Sequence, residues 1–274
     1  MWQIFDKQIP KILIFDQLDS SSLEARRMIE NSTAQHGQII WAKNQTAGYG
    51  RRKRPWSSED GNLFFSVVLK PTFPLGDCWM LNFALAVAIG ETLKNYINKK
   101  DIVTYKWPND ILLNGKKISG CLIELISSAN PNDFYVICGV GVNVAVTPNE
   151  VKDFATSLKD VVATADLNLD ILLFEILQEL EIYSNLIFKQ KKKLLTTWRK
   201  NAMKLGDKIT VHFDGALKDG LYKGIDDSGS LKLSCAGKIQ TLSVADVFIN
   251  DAEIESKLGS LDSRNPTNIG DKIK

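Results

Sequence analysis

Lys43-Asn-Gln-Thr-Ala-Gly48-Tyr-Gly50-Arg51-Arg52-Lys53-Arg54-Pro55-Trp56 is the stretch from which the rest of the chain can be placed. It carries five positive charges, two glycines and no acid, a content that suits neither a stable helix nor a buried strand. It is a loop. Residues 37–43 lead into it and 61–69 lead away, both apolar runs of strand length, so the loop joins two strands at a sheet end, a common place to hold a ligand. Glycines let backbone N–H groups approach an anion, and clustered Arg and Lys neutralise its charge. The formal net charge of the 274-residue chain is +2, which leaves −3 outside this loop, so the positive charge is local.

Outward from the loop, residues 11–16 suit a short buried strand and are followed by Asp19-Ser20-Ser21-Ser22. Ser21 and Glu24 have capping-box spacing, which predicts a helix over about 22–31 whose unpaired N–H groups also face any polar ligand nearby. Residues 78–97 repeat apolar side chains at helical spacing, with Gly90 interrupting, and predict a core helix. Asn114-Gly115 is a hairpin-turn pattern joining strands at 110–113 and 116–126, while Pro108 keeps Trp107 extended and presents Asn109 and Asp110 at a strand start. A strand at 134–144 contains Gly139-Val-Gly141-Val-Asn143, and two glycines weaken a strand unless a backbone or a ligand comes close. Residues 151–166 form a polar link. An amphipathic helix over 170–190 ends in Lys189, Lys191, Lys192 and Lys193, which read as partners of its C-terminal dipole on a solvated face.

After Trp198 the texture changes to short alternating strands at 206–213, 220–225, 230–234 and 238–242, separated by Asp, Gly and Ser. The expected organisation is a large domain over 1–203, a small β domain over 204–250 that packs on it, and a polar tail over 251–274 that is mobile at its end. Four cysteines with no C-x-x-C spacing and no pairing in sequence with the two histidines, His36 and His212, argue against zinc and disulfides and for a reducing compartment. With no leader-like start and no apolar run of about 18 residues, the expectation is a cytoplasmic protein of enzyme size with no membrane partner.

No G-x-x-x-x-G-K-[ST] is present, and neither Gly48-Tyr-Gly50 nor Gly139-Val-Gly141 has the third glycine and following helix of a dinucleotide site. Nor is a Ser/His/Asp or Cys/His arrangement readable. What remains is Lys and Arg for anions, Asn109 and Asp110 for a metal-bound polyphosphate, and Lys117 on a strand after a tight turn. Those parts are needed where a carboxylate must meet a phosphate, because two like charges approach only with cations between them.

Gly48-x-Gly50-Arg51-Arg52-x-Arg54-x-Trp56, Lys106-Trp107-Pro108-Asn109-Asp110, Lys117-x-x-Gly120-x-Leu122-x-Glu124 and Gly139-x-Gly141-x-Asn143, in that order, resemble the biotin protein ligases. The resemblance covers about residues 12–200 and continues into the small β domain. It implies an α+β fold: a mixed β-sheet catalytic domain with flanking helices, of the class II synthetase-like biotin/lipoate ligase type, plus a small C-terminal SH3-like β-barrel. It also implies two reactions, in which biotin and MgATP give biotinyl-5′-AMP and pyrophosphate, and a lysine of a biotin carboxyl carrier protein then takes the biotinyl group. Carried over by position, Ser20, Ser21 and Ser22 match the segment that meets the biotin ureido group, and Gln45 a polar contact ahead of the loop. Gly48, Tyr49, Gly50 and Arg51 match the part of the loop over biotin, and Gly120, Leu122 and Gly139 the pocket wall, where a side chain at Gly139 would intrude on the bicyclic ring. Lys117 matches the lysine that touches both the biotin carboxylate and the α-phosphate, with Arg51 beside it as a second catalytic group. Arg51, Arg52, Arg54, Trp56, Lys106, Asn109 and Asn143 match nucleotide-binding positions, and Asp110 a Mg²⁺ position.

The family's loop usually reads Gly-Arg-Gly-Arg-Arg-Gly-Arg. Here Tyr49 takes the second place, removing a planar donor near biotin and phosphate, and Lys53 the sixth, stiffening the loop. The loop is expected to be loose without ligand and to order over biotin and ATP. The first strand begins near Lys11, which leaves no space for an N-terminal helix-turn-helix, so the resemblance implies a ligase without sequence-specific DNA binding; a homodimer is compatible with it. Two rivals are a lipoate ligase of the same fold and a nucleic-acid-binding module in which the loop, Trp56, Phe64 and Phe65 grip phosphate and stack bases. The second leaves Asn109, Asp110 and Lys117 without a role.

Overall fold

Every residue of β3 (Leu63–Leu69) is buried, because it is an interior strand of a sheet covered on both faces. The computed structural model describes Ile4 and residues 11–127, 134–162, 167–250, 252–254 and 256. The large sheet has seven strands in the order β1 (Ile12–Leu18), β2 (Gln38–Gln45), β3, β7 (Phe134–Val142), β6 (Lys116–Ser127), β5 (Asp110–Leu113) and β4 (Val103–Lys106). β1 and β2 are parallel, since α1 (Ser21–Glu30) carries the chain back between them, and the other neighbours are antiparallel. The sheet is therefore mixed. Asn114 and Gly115 both take positive φ (51° and 81°), the conformation a tight hairpin between β5 and β6 requires.

α1 covers one face, packing Ala25 and Ile29 against Ile40, Val68, Ile126 and Ile137. α2 (Met80–Lys94) covers the other. It is buried almost all round because α3 (Leu169–Lys189) and α4 (Lys191–Lys200) close over its outer side, which is why its sequence is apolar on every face. Gly90 lies where α2 meets Tyr105 of β4, and a Cβ there would collide with the phenol ring.

A second sheet of five antiparallel strands follows, in the order β11 (Lys238–Leu242), β10 (Leu231–Cys235), β9 (Ala216–Ile225), β8 (Lys208–Phe213) and β12 (Asp246–Phe248), the SH3-like unit. It shares one hydrophobic core with the large sheet through Ile209, Val211, Tyr222 and Leu231. Trp107 Nε1 donates to Gly229 O at 2.9 Å and Arg199 Nη2 to Asp226 O at 2.7 Å, so the two sheets are joined by polar contacts as well.

Two local expectations change, and two short strands went unread. The N-cap of α1 is Ser20, whose Oγ accepts from Ser22 N at 3.2 Å, and Glu24 turns to Arg27 instead of closing a capping box with Ser21. The lysine run does not simply end α3: the chain breaks at Gln190 (φ −152°), and Lys191, Lys192 and Lys193 occupy the first turn of α4, the end where the dipole disfavours them. Lys191 is compensated by an ion pair with Asp77. β4 and β12, four and three residues long, are too short for period-based reading. Of the expected polar tail over 251–274, residues 252–254 and 256 are described, with Glu253 buried, and the end expected to be mobile lies outside the described residues. Among the described residues no helix is long and apolar enough to cross a membrane.

Candidate active site

The basic loop folds back over the face of the sheet and encloses a cavity of about 690 Å³. The start of α1, the end of β2, the turn between β4 and β5, and strands β6 and β7 form its floor and walls, and Asp246 and Val247 of β12 reach its rim. All of the expected site residues line it except Arg52 and Lys106.

One end is built from hydroxyl and amide groups. Ser21 and Ser22 place their hydroxyls 2.8 and 2.9 Å from Ser66 Oγ on β3, and Gln45 Oε1 accepts from Ser21 N at 2.8 Å. The serines therefore serve both the helix start and the cavity. Gly139 is required by this packing, since a Cβ there would stand 2.6 Å from Ser22 Oγ, so Ser22 is the first group it would strike. Gly48 is similarly close-packed: a Cβ would come within 2.8 Å of Trp56 O, because the loop's two arms pair through Trp56 N to Gly48 O at 2.8 Å.

Trp56 lies flat over β6 and β7, where a Cβ at Gly141 would stand 2.6 Å from its ring and one at Gly120 3.1 Å. Those two glycines exist to admit the indole. Lys117 Nζ sits 5.1 Å from the Trp56 ring centroid and 2.6 Å from Asp110 Oδ1, which fixes the ammonium in the cavity wall. Asn143 is held by its own N–H to Ile118 O (2.8 Å) and by Nδ2 to Thr156 O (3.1 Å), while its buried Oδ1 has no hydrogen-bond partner among the described residues.

The arginines converge on Asp246. Arg51 Nη1 and Arg52 Nη1 lie 3.2 and 3.3 Å from its carboxylate, Arg54 Nη2 is hydrogen-bonded to it, and Arg51 also donates to Ala245 O at 3.0 Å. Burial works against the Asp246 charge, but Arg54, Arg51 and Arg52 together hold its carboxyl below the usual value. Arg52 turns away from the cavity, with His212 Nδ1 at 2.9 Å, and both Arg52 and Lys53 adopt left-handed φ of 56° and 57°. Lys53 thus sits in a conformation that glycine would take without steric cost. Tyr49 donates to Glu124 Oε2 at 2.8 Å, with Lys53 Nζ 3.9 Å above its ring and Arg26 on the other Glu124 oxygen at 3.1 Å.

Sequence reasoning missed Asp246, Glu124 as the tyrosine's acceptor, and the match of Gly120 and Gly141 to Trp56. Only the charge balance pointed to an acid: a loop of cations with no acid of its own needs one from elsewhere. Asp110 presents both oxygens to ammonium groups, Oδ1 to Lys117 and Oδ2 to Lys106 at 3.1 Å, and no group of three His, Cys, Asp or Glu among the described residues could hold a metal ion. With both Asp110 oxygens on lysines, the described side chains offer no set of three ligands for a resident Mg²⁺.

The mixed sheet thus carries a cavity that is hydroxyl- and amide-lined at one end and cationic at the other. Residues 16–143 match the model of the biotin/lipoate A/B protein ligase family. The biotin–[acetyl-CoA-carboxylase] ligase of Paracoccus denitrificans is 30% identical over 240 residues, spanning 84% of this chain and 97% of the relative. The bifunctional ligase/repressor BirA of Bacillus subtilis is 30% identical over 240 residues, 86% of this chain and 73% of its own. The solved biotin protein ligase from Aquifex aeolicus in complex with biotin and ATP superimposes with a TM-score of 0.75 at 25% identity, covering 88% of this chain and 100% of that one. The chain belongs to the biotin/lipoate A/B protein ligase family, as the resemblance of its motifs implied, and is a ligase of the biotin kind.

Proposed function

We propose that the cavity binds biotin at its serine end and the ATP phosphates at its lysine and arginine end, and that Lys117 carries the chemistry between them. The observation that supports this most is the setting of Lys117: its ammonium is fixed by Asp110 and Trp56 in the wall of the one cavity that Ser20 to Ser22 and Arg51 and Arg54 also line. A biotin carboxylate oxygen attacks the α-phosphorus, the bond to the β-phosphate oxygen breaks, and pyrophosphate leaves with that electron pair. Lys117 lies between the two approaching anions, and Arg51 and Arg54 take up the charge that grows on the leaving group. Asn143 and Asn109 line the same wall, and Trp56 packs over Gly120 and Gly141 beside them. Magnesium comes in on the ATP phosphates as their counter-ion, and Asp110 serves Lys117. In the second reaction a lysine amine of a biotin carboxyl carrier protein attacks the acyl carbon, AMP leaves, and the amine loses its proton. The loop keeps water from the mixed anhydride in the interval. The reading places the enzyme in the cytoplasm.

Pyrophosphate release on mixing the protein with MgATP and either biotin or lipoate, without an acceptor, tests the assignment. Release with biotin that halts near one equivalent is expected. Lys117→Ala should remain folded and lose release by about a thousandfold or more, the scale of a removed transition-state donor; release with lipoate alone, or an active Lys117→Ala enzyme, would overturn the reading.

A further inference from the structure

We infer that Glu253 is a positioning residue for the catalytic step, acting on Lys117 through Lys106 and Asp110; the inference rests on the role given to Lys117 above. Lys106 opens the Lys-Trp-Pro-Asn-Asp block, yet it does not line the cavity and is only 2% exposed. It cannot touch a ligand. Its ammonium instead joins two acids, Asp110 Oδ2 at 3.1 Å and the Oε1 of Glu253. Asp110 in turn holds Lys117 through its other oxygen at 2.6 Å. The result is a row of alternating charge, Glu253, Lys106, Asp110, Lys117, whose first three members are all buried.

Glu253 is the fixed end of this row. It sits in a helical turn at 252–254 just past β12, is 3% exposed, and its second oxygen accepts from Ile249 N at 3.2 Å, while its own N–H donates to Asn250 Oδ1 at 2.8 Å. Lys106 and Asp110 are opposite each other in the β4–β5 pair, so their backbones are fixed as well. The freedom left in the row lies in two long lysine side chains and in how Asp110 divides itself between them. A buried ammonium with two acids lets Asp110 share its charge with Lys117. With Glu253 neutralised, Lys106 would draw on Asp110 alone, and Lys117 would lose the partner that orients it. Small displacements of a reacting group cost large factors in rate, so the effect belongs in the chemical step and not in substrate binding.

The test is single-turnover pyrophosphate release by the full chain in Glu253→Gln, Lys106→Met and the double variant, with thermal melting alongside. Glu253→Gln is expected to slow release about tenfold or more with the KM for biotin little changed, Glu253→Asp to recover part of the rate, and the double variant to be no slower than Lys106→Met. A Glu253→Gln rate within twofold of wild type would overturn the inference, as would effects that multiply in the double variant, because Glu253 would then act by another route. Should Glu253→Gln melt too early to assay, Glu253→Met takes its place in the same cycle with the same two outcomes. Lys117→Ala separates the levels: if it stays active the parent reading fails, and if it is dead while Glu253→Gln is fully active only this inference fails.

Discussion

The Tyr49 hydroxyl stays a donor throughout the physiological range, because burial, and after it the bond to Glu124, pushes its pKa above the ordinary phenol value. It gives the loop a hold on β6 that does not depend on ligand, at the position where the family's loop usually has arginine. Replacing Tyr49 by Phe removes one hydrogen bond to a charged acceptor, a loss of about 2 kcal/mol in loop closure. Biotinyl-adenylate made without acceptor should then leak up to about thirtyfold faster, measured as AMP release over time, while melting changes little. An unchanged leak rate would leave closure to the arginine contacts alone. Lys53 stacks its ammonium on the same ring from a left-handed backbone, so the two departures from the usual loop support each other.

Among the elements, α2 shows best where sequence reading succeeds and where it stops. Its helical spacing was plain in the sequence, and Gly90 stood out only as an interruption; the structure gives the reason, a close approach to the fully buried Tyr105 ring. Gly90→Ala gains about 1 kcal/mol of helix propensity but forces apart a helix and a strand, which typically costs about 1–3 kcal/mol. A net fall in melting temperature is expected, relieved in Gly90→Ala/Tyr105→Leu; a rise in the single variant would show that the contact gives way easily. The loop's boundaries and the hairpin at Asn114-Gly115 were equally legible, since glycine, proline and charge mark them locally. β12 was not, because three residues carry no period, and Asp246 there looks like any strand-end acid until the fold sets it among three arginines.

For the whole molecule, Asp246 ties the small sheet to the loop of the large one. Its carboxyl lies lower in the folded protein than the ordinary value near 3.9, so its stabilisation is complete above about pH 4 and is lost as pH falls through the lower folded value. Asp246→Asn, which leaves the three arginines without their anion, should destabilise by on the order of 3 kcal/mol at pH 7. In urea unfolding at pH 7, 4 and 3 the gap to wild type should narrow toward the lowest pH, and a constant gap would remove the ion cluster as its cause. The sequence by itself determined most of the strands, helices α1 to α3, the basic loop, the order of the motifs and hence the family, because each is written in contiguous residues with local conformational preferences. Only the tertiary structure decided that Lys106 lies beneath the site and not in it, that Gly120 and Gly141 make room for Trp56, and that Asp246 and Glu253 reach back to the loop and to Lys106. Those relations join residues up to 195 positions apart. Burial and ion pairing act through space, and no local pattern of residues records which distant charge will be brought near.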